Sequence, residues 1–350
     1  MLRARLIAWF SLATVLLLLA VLAFSLSAPR PPEAHNPATI NIPAGSSLRL
    51  VARDLEAQSL IRSALAFELL AALKGQREAI QRGEYAIASG ASAHAILEKL
   101  VAGRVKTYRL ALIEGQTLQQ VFAGFRAHEA LTRELEGPLD PRLLDLSFGE
   151  FGPIDSSEGL FMPETYEYRR GDSDLDLLRR AQALLVEQLN TAWEGRAGGL
   201  PFDTPYEALI LASIIERESG VLAERARVAG VFVNRLQRGM RLQSDPTTIY
   251  GLGSSYTGAL TKEQLRGSTP FNTYRIDGLP PTPIALASSS ALQAALAPEV
   301  HDYLYFVADG EGGHVFSHTL EQHNAAVQRY REALNAGQTS QPNQSGSRAQ

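Results

Sequence analysis

Two carboxylates in the stretch Tyr206 to Gly220, Glu216 and Glu218, are the residues whose type and setting most suggest chemistry. The stretch reads Tyr-Glu-Ala-Leu-Ile-Leu-Ala-Ser-Ile-Ile-Glu-Arg-Glu-Ser-Gly, a strong helix former. Two residues apart on a helix means about 200° apart around its axis, so the two acids cannot serve as a facing pair. Leu211, Ile214, Ile215 and Glu218 follow the i, i+3, i+4, i+7 rule, which puts Glu218 on the apolar stripe. Glu216 falls nearer the stripe edge, with Ala212 and Ser213. A carboxyl on an apolar face must find a partner or go neutral, because desolvation disfavours its charge and raises its pKa. An acid that keeps its proton near neutral pH can protonate a departing oxygen, as glycosidic cleavage requires. Beside that reading stands a structural one, in which Glu218 is a buried partner of Arg225 or Arg235.

Glycosidic cleavage normally employs a second carboxylate. Asp245, in Arg241-Leu242-Gln243-Ser244-Asp245-Pro246-Thr247, is the other acid that looks placed, and it reads equally as a helix N-cap or as a sugar contact. His314, His318 and His323 have His-x3-His-x4-His spacing, but no His-Glu-x-x-His accompanies them, and solvated or hydrogen-bonded imidazoles are favoured over zinc. The chain has no Gly-x-Gly-x-x-Gly, Walker or Gly-x-Ser-x-Gly sequence, and Gly310 to Gly313 reads as a turn between strands. No cofactor or metal is expected.

The elements that would position these residues fall into an α+β pattern. Ile40 to Pro43 alternates like a strand, and Ser46 and Ser47 can cap a helix from Leu48 to Leu55. A second apolar helix spans Leu60 to Leu73, Gly83 to Ile87 forms a return strand, and Ala93 to Val101 a last helix. A loosely similar strand, Gly-containing turn and helix follow at Tyr108 to Leu112 and Leu118 to His128. Gly137 to Pro153 is a linker by composition. The larger region beyond Glu158 has long aromatic-bearing loops, Tyr250 to Gly258 and Thr269 to Pro283, of the kind that carry function. The tail after Ala336 lacks the apolar residues for a core and is expected to be disordered.

Composition narrows the classes. The 350 residues can hold two or three domains, and a net charge of -4 without a Lys/Arg cluster gives no footprint for nucleic acid. Cysteine is absent, which excludes disulfides, thiol nucleophiles and Cys-ligated zinc, and suits an exported protein. Arg3 and Arg5 precede an uncharged run from Leu6 to Pro29, long enough to span a bilayer and longer than the h-region of a cleaved signal peptide. Ser25-Leu26-Ser27 before Ala28 is a cleavage-like sequence, but length favours a retained anchor. With positive charge before the span, the N-terminus is expected in the cytoplasm and the remainder outside. Prolines 29, 31, 32, 37 and 43 describe a stiff spacer after the anchor.

Several segments together resemble the YceG-like family of endolytic murein transglycosylases. They are Glu158 to Tyr166, Ala212 to Ser219, Val231 to Leu236, Met240 to Tyr250, Asn272-Thr273-Tyr274 with Gly278 to Pro281, Tyr303 to Val307 and Gly313 to Ser317, in the family's order. The likeness runs from the membrane span to about Tyr330. It implies an N-terminal transmembrane helix (residues 1–28), a spacer (29–38), a small LysM-like α+β module (39–106), a second small α+β segment and linker (107–157), a larger α+β catalytic domain (158–335) and a tail (336–350).

The family's catalytic glutamate maps onto Glu218, the residue chosen by the helical-face argument. The implied reaction is cleavage of the MurNAc–GlcNAc β-1,4 bond within peptidoglycan strands, leaving 1,6-anhydroMurNAc ends. The alternatives are a hydrolytic muramidase and a non-catalytic peptidoglycan-binding scaffold. Ser219, Gln243, Asp245, Asn272 and Tyr274 are the implied glycan contacts, and Tyr166, Phe271 or Tyr303 the rings that could stack on sugars. The implied setting is the cell inner membrane, single-pass with a periplasmic catalytic domain, with glycan strands as substrate and peptidoglycan synthases (penicillin-binding proteins) as partners. This chain departs from the family at Thr282 and at Leu286-Ala287-Ser288, where Asn-Pro-Gly is usual, and at Phe271, where Tyr is common.

Overall fold

The computed structural model describes residues 2–27, 37–135, 139–140, 154 and 156–339. The spacer (residues 28–36), most of the 137–153 linker and residues 340–350 lie outside these. The chain divides into two compact units, one of Met1–Arg109, Ala130–Thr132 and Glu167–Asp172, the other of Leu110–Glu129, Arg133–Tyr166 and Ser173–Gln350. The extension of the first unit past residue 106, to Arg109, keeps Tyr108 within it. Its physical reason is a polar cluster around Glu84, which is 5% exposed and takes hydrogen bonds from Tyr108 Oη at 2.5 Å and Arg170 Nε at 2.9 Å.

The first unit begins with α1 (Leu2–Ser27), of which Trp9–Leu26 is long and apolar enough to cross a membrane, with mean hydropathy 2.4. After it come β1 (Ala38–Ile42), α2 (Leu48–Ala57), α3 (Ala64–Leu73), β2 (Gly83–Ile87), α4 (Ala93–Val101) and β3 (Thr107–Ala111). β1 and β2 pair antiparallel from Ala38 with Ile87 to Ile42 with Gly83. The period of two sends Ile40, Ile42, Tyr85 and Ile87 inward, onto Val51, Leu55, Phe67, Leu97 and Leu100 of the helices. Only glycine fits position 83, where φ is +138° and a Cβ would lie 2.5 Å from Val105 Cγ1. Ser47, Ser63 and Ser92 each cap a helix by accepting from the third amide beyond. The apolar run from Leu60 predicts a helix four residues too long: Ser63 is the cap, and Ser59, at φ +63°, turns the chain before it.

The second unit carries α5 (Leu118–Phe125), shorter than the expected run to His128. β4 (Thr165–Arg169), of which Glu167–Arg169 belong to the first unit, pairs with β3. The long helix α6 (Asp174–Glu194) leads to α7 (Pro205–Glu218), α8 (Arg225–Gln237), α9 (Asp245–Leu252) and α10 (Lys262–Arg266). Next come α11 (Ser289–Leu296), β5 (Tyr305–Ala308), β6 (His314–Ser317) and α12 (Leu320–Thr339). α12 continues past Ala336, where disorder is expected from composition. β5 and β6 form an antiparallel hairpin, Tyr305 opposite Ser317, and the Gly-rich turn joins them.

α7 is the axis of this unit. Pro205 sits in its first turn, and Thr204 and Glu207 form a capping box, which fixes where it begins. Every residue from Ala208 to Ile215 is buried, with α6, α8, α9 and α11 packed around it. The single-stripe premise therefore fails: this helix is enclosed on nearly all sides.

Candidate active site

Glu218 is the last residue of α7, and Ser219 ends the helix in extended conformation. Its carboxyl lies against the start of α9, where Ser244 Oγ donates to Glu218 Oε1 at 2.6 Å. Ser244 is fixed in turn, because its amide donates to Thr273 Oγ1 at 2.9 Å. Thr247 Oγ1 donates to the Ser244 carbonyl at 2.7 Å. Gln243, just before, has φ +50°, a left-handed backbone that turns the chain into this position, and its side chain is exposed.

The electrostatics favour a held proton. Burial raises the Glu218 pKa to about 7, and the nearby Asp245 charge adds to the rise. The Ser244 hydrogen bond, His314 and Arg235 act against it. Arg235 is 7% exposed and is held by carbonyls, with Nε donating to Leu304 O at 2.7 Å and Nη1 to Leu242 O at 2.6 Å. Its guanidinium also lies 5.1 Å from the Tyr305 ring centroid. It is therefore not an ion-pair partner that spends the Glu218 charge.

Glu216 differs from its expected place at the stripe edge. Its side chain is only 4% exposed and pairs bidentately with Arg225, whose own side chain is 5% exposed: Nη2 to Oε1 at 2.6 Å and Nη1 to Oε2 at 3.0 Å. Ser288 donates to the same carboxylate from its amide at 3.0 Å and its hydroxyl at 2.5 Å. Arg225 Nε also donates to the Ser219 carbonyl at 3.3 Å. The buried Glu–Arg pair considered for Glu218 thus exists, but one half-turn earlier. It grips the residues on both sides of Glu218.

The other candidate residues separate by exposure and bonding. Asp245 is exposed and begins α9; the cap position is Ser244, whose hydroxyl serves Glu218 and makes no cap bond. Tyr274 Oη donates to Asp245 Oδ1 at 2.7 Å, and burial, then this bond, hold the phenol well above its usual range, so it remains a donor. Asn272 is fully buried: its amide donates to Gly267 O at 2.6 Å and Leu265 O at 3.1 Å, while Oδ1 accepts from Thr248 and Tyr274. It shapes the loop that presents Tyr274. Ser219 is likewise fully buried, its hydroxyl turned back to Val221. Tyr166 is 8% exposed, with Oη donating to Met162 O at 2.7 Å. Phe271 packs edge-on to Tyr250, and Tyr303 lies between His301 and His318. Glu218, Asp245 and Tyr274 are thus brought together, and Gln243 adjoins them on the chain. Asn272, Ser219 and Tyr166 are built into the frame.

The three histidines take different partners, Glu224 for His314, Asp302 for His318 and the Tyr305 ring for His323. Among the described residues no group of three or more His, Cys, Asp or Glu is arranged to hold a metal ion.

The sequence profile of the YceG-like family matches residues 40–329. The chain belongs to the YceG-like family. A relative from Bacillus subtilis, named endolytic murein transglycosylase, is 32% identical over 327 residues, 89% of this chain and 89% of its own length. A relative of the same name from Streptococcus pneumoniae is 27% identical over 83% of this chain, which spans 57% of that protein. The crystal structure of a yceG-like protein from Listeria monocytogenes covers 83% of this chain and 99% of its own, with 27% identity and a TM-score of 0.53.

In this YceG-like chain the residues that sequence reasoning passes over are Ser244, Arg235 as a carbonyl-bound cation, and the Glu216–Arg225–Ser288 cluster. The cap signal there reads as Asp245, and no local pattern shows the Ser244 hydroxyl reaching 26 residues back.

A pH dependence follows from the Glu218 environment. The acid form is present below about pH 7 and lost as pH rises through it, so cleavage should fall on the alkaline side. Ser244→Ala removes a bond that favours the carboxylate, so the alkaline limb should move upward by about one to two units. Initial rates from pH 5 to 9 for both proteins test this, and an unmoved limb would assign the ionisation elsewhere.

Proposed function

We propose that this chain is a membrane-anchored lyase that cuts peptidoglycan glycan strands internally, with Glu218 performing both proton transfers. The observation that carries this reading is a single carboxyl that holds its proton to about pH 7, fixed by Ser244 beside Asp245 and Tyr274. The name and 32% identity of the Bacillus subtilis relative support the same chemistry.

Glu218 gives its proton to the glycosidic oxygen as the bond from C1 of N-acetylmuramic acid breaks. The acetamido oxygen of the same sugar closes on C1 and carries the positive charge. Glu218, now a carboxylate, takes the proton of the C6 hydroxyl; O6 bonds to C1 and the acetamide is restored. The product is a 1,6-anhydro end, and no water enters. Asp245 and Tyr274 present a carboxylate and a phenol to sugar hydroxyls, and Gln243 adds an exposed amide. Mass spectrometry of digested strands tests the reaction: ends one water lighter than hydrolytic ends are expected, whereas hydrolytic ends alone would make the protein a muramidase.

The β1-α2-α3-β2 order supports a LysM-like, glycan-binding module over residues 39–106, with the catalytic domain over 158–335. Arg3 and Arg5 before the span favour a cytoplasmic N-terminus and a periplasmic catalytic domain. A compartment-specific reporter fused after Ala336 should be active only outside the cytoplasm. Peptidoglycan synthases are the partners that this placement suits.

A further inference from the structure

α3 is apolar on two sides. Ala64, Phe67, Leu70 and Ala71 enter the core of the first unit, while Leu65, Leu69 and Leu73 face outward, 78%, 43% and 73% exposed. Residues four apart are about 40° apart around a helix, so the three leucines form one stripe. A helix on a water-facing surface carries polar residues on that side. Glu68, beside the stripe, is 26% exposed and 3.8 Å from Arg49, which partly offsets its charge. Arg62 precedes the helix and Lys74, whose Nζ lies 3.5 Å from Glu98, follows it, so that cations flank the stripe.

What covers the stripe is indicated by α1. Leu26, the last residue of the membrane-spanning stretch, packs against the core of this unit. α1 contacts α3 and α4, and the Arg62 guanidinium lies 4.7 Å from the Phe24 ring centroid. The end of the span and the start of α3 are therefore at the same level.

We infer that the Leu65–Leu69–Leu73 face of α3 rests in the lipid interface where the anchor leaves the bilayer, so that the module lies on the membrane. This rests on α1 being a retained span. The occupant is lipid, because α3 contacts the bilayer-crossing helix α1 and Arg62, beside the end of that span, is a cation suited to headgroups.

The chain has no cysteine, so single-cysteine variants label at one place only. The test uses the full chain in nanodiscs containing phosphatidylglycerol, spin-labelled at Leu65→Cys, Leu69→Cys or Leu73→Cys. Leu18→Cys reports the bilayer. Asn41→Cys, on the outward face of β1 and away from the helices, reports water. The ratio of oxygen to nickel-chelate collisions at the three stripe positions should exceed that at Asn41→Cys several-fold. A ratio equal to that at Asn41→Cys, with Leu18→Cys in lipid, overturns the inference while leaving the anchor. Spin–spin broadening between stripe labels would assign the face to a second copy and overturn it as well. A water-exposed Leu18→Cys would remove the anchor and the inference together.

Discussion

Glu218→Gln is expected to lower glycan cleavage by about 10²–10⁴-fold, the range typical of lost acid/base catalysis. The amide matches the carboxyl in size and can still accept from Ser244, whose hydroxyl lies 2.6 Å away in the native protein. It lacks the transferable proton that the proposed bond-breaking step consumes. Folding should survive, since an amide is no harder to bury than the protonated acid it replaces. The check is release of anhydro ends from purified sacculi by native and variant protein at pH 6, with circular dichroism to confirm the fold. Unchanged release would end the mechanism and point to another acid such as Asp245.

The second large effect belongs to the buried pair two residues earlier. Arg225→Met leaves Glu216 charged and 4% exposed, with only Ser288 to answer it. Breaking one side of a buried ion pair costs about 3–5 kcal/mol, because the other charge is stranded. For a domain of this size that corresponds to a fall in Tm of about 6–20 °C. Glu216→Gln, which strands Arg225 instead, should cost a comparable amount. The double variant Glu216→Gln/Arg225→Met removes both charges and should recover much of the loss. Thermal melts of the three variants decide it, and additive losses would mean the two side chains do not act as a pair. Because Arg225 also holds the Ser219 carbonyl, the single variants should lower cleavage even below their melting temperatures.

These two acids show where sequence reasoning reaches and where it stops. The apolar run locates α7, read as Tyr206 to Gly220 and observed from Pro205 to Glu218, where the Thr204–Glu207 capping box sets its start. Ser47 and the alternation of β1 are legible for the same reason, since caps and pleats depend on near neighbours. The face of Glu216 was not legible. A periodic stripe distinguishes faces only when one of them meets water, and α7 is buried nearly all round. What sets the two acids apart is their partners: Arg225 and Ser288, 9 and 72 residues from Glu216, against Ser244, 26 residues from Glu218. The resemblance to the family singled out Glu218 because motif order carries such distant pairings implicitly. It did not separate the solvent-facing Asp245 from Asn272, whose amide is spent on backbone carbonyls.

α7 stops at Glu218, and that ending sets activity against durability. The last turn of a helix carries partial negative charge, so a carboxylate there is opposed by its own helix as well as by burial. The folded chain binds this proton up to about pH 7, whereas an unfolded one releases it near 4.5. The folded state thus holds more protons between those values, and stability declines as pH rises through that window. Above it the protein carries an ionised acid in a place that resists the charge. Neutral replacements at 218 should therefore resist heat better than the native protein under alkaline conditions, while having lost the chemistry.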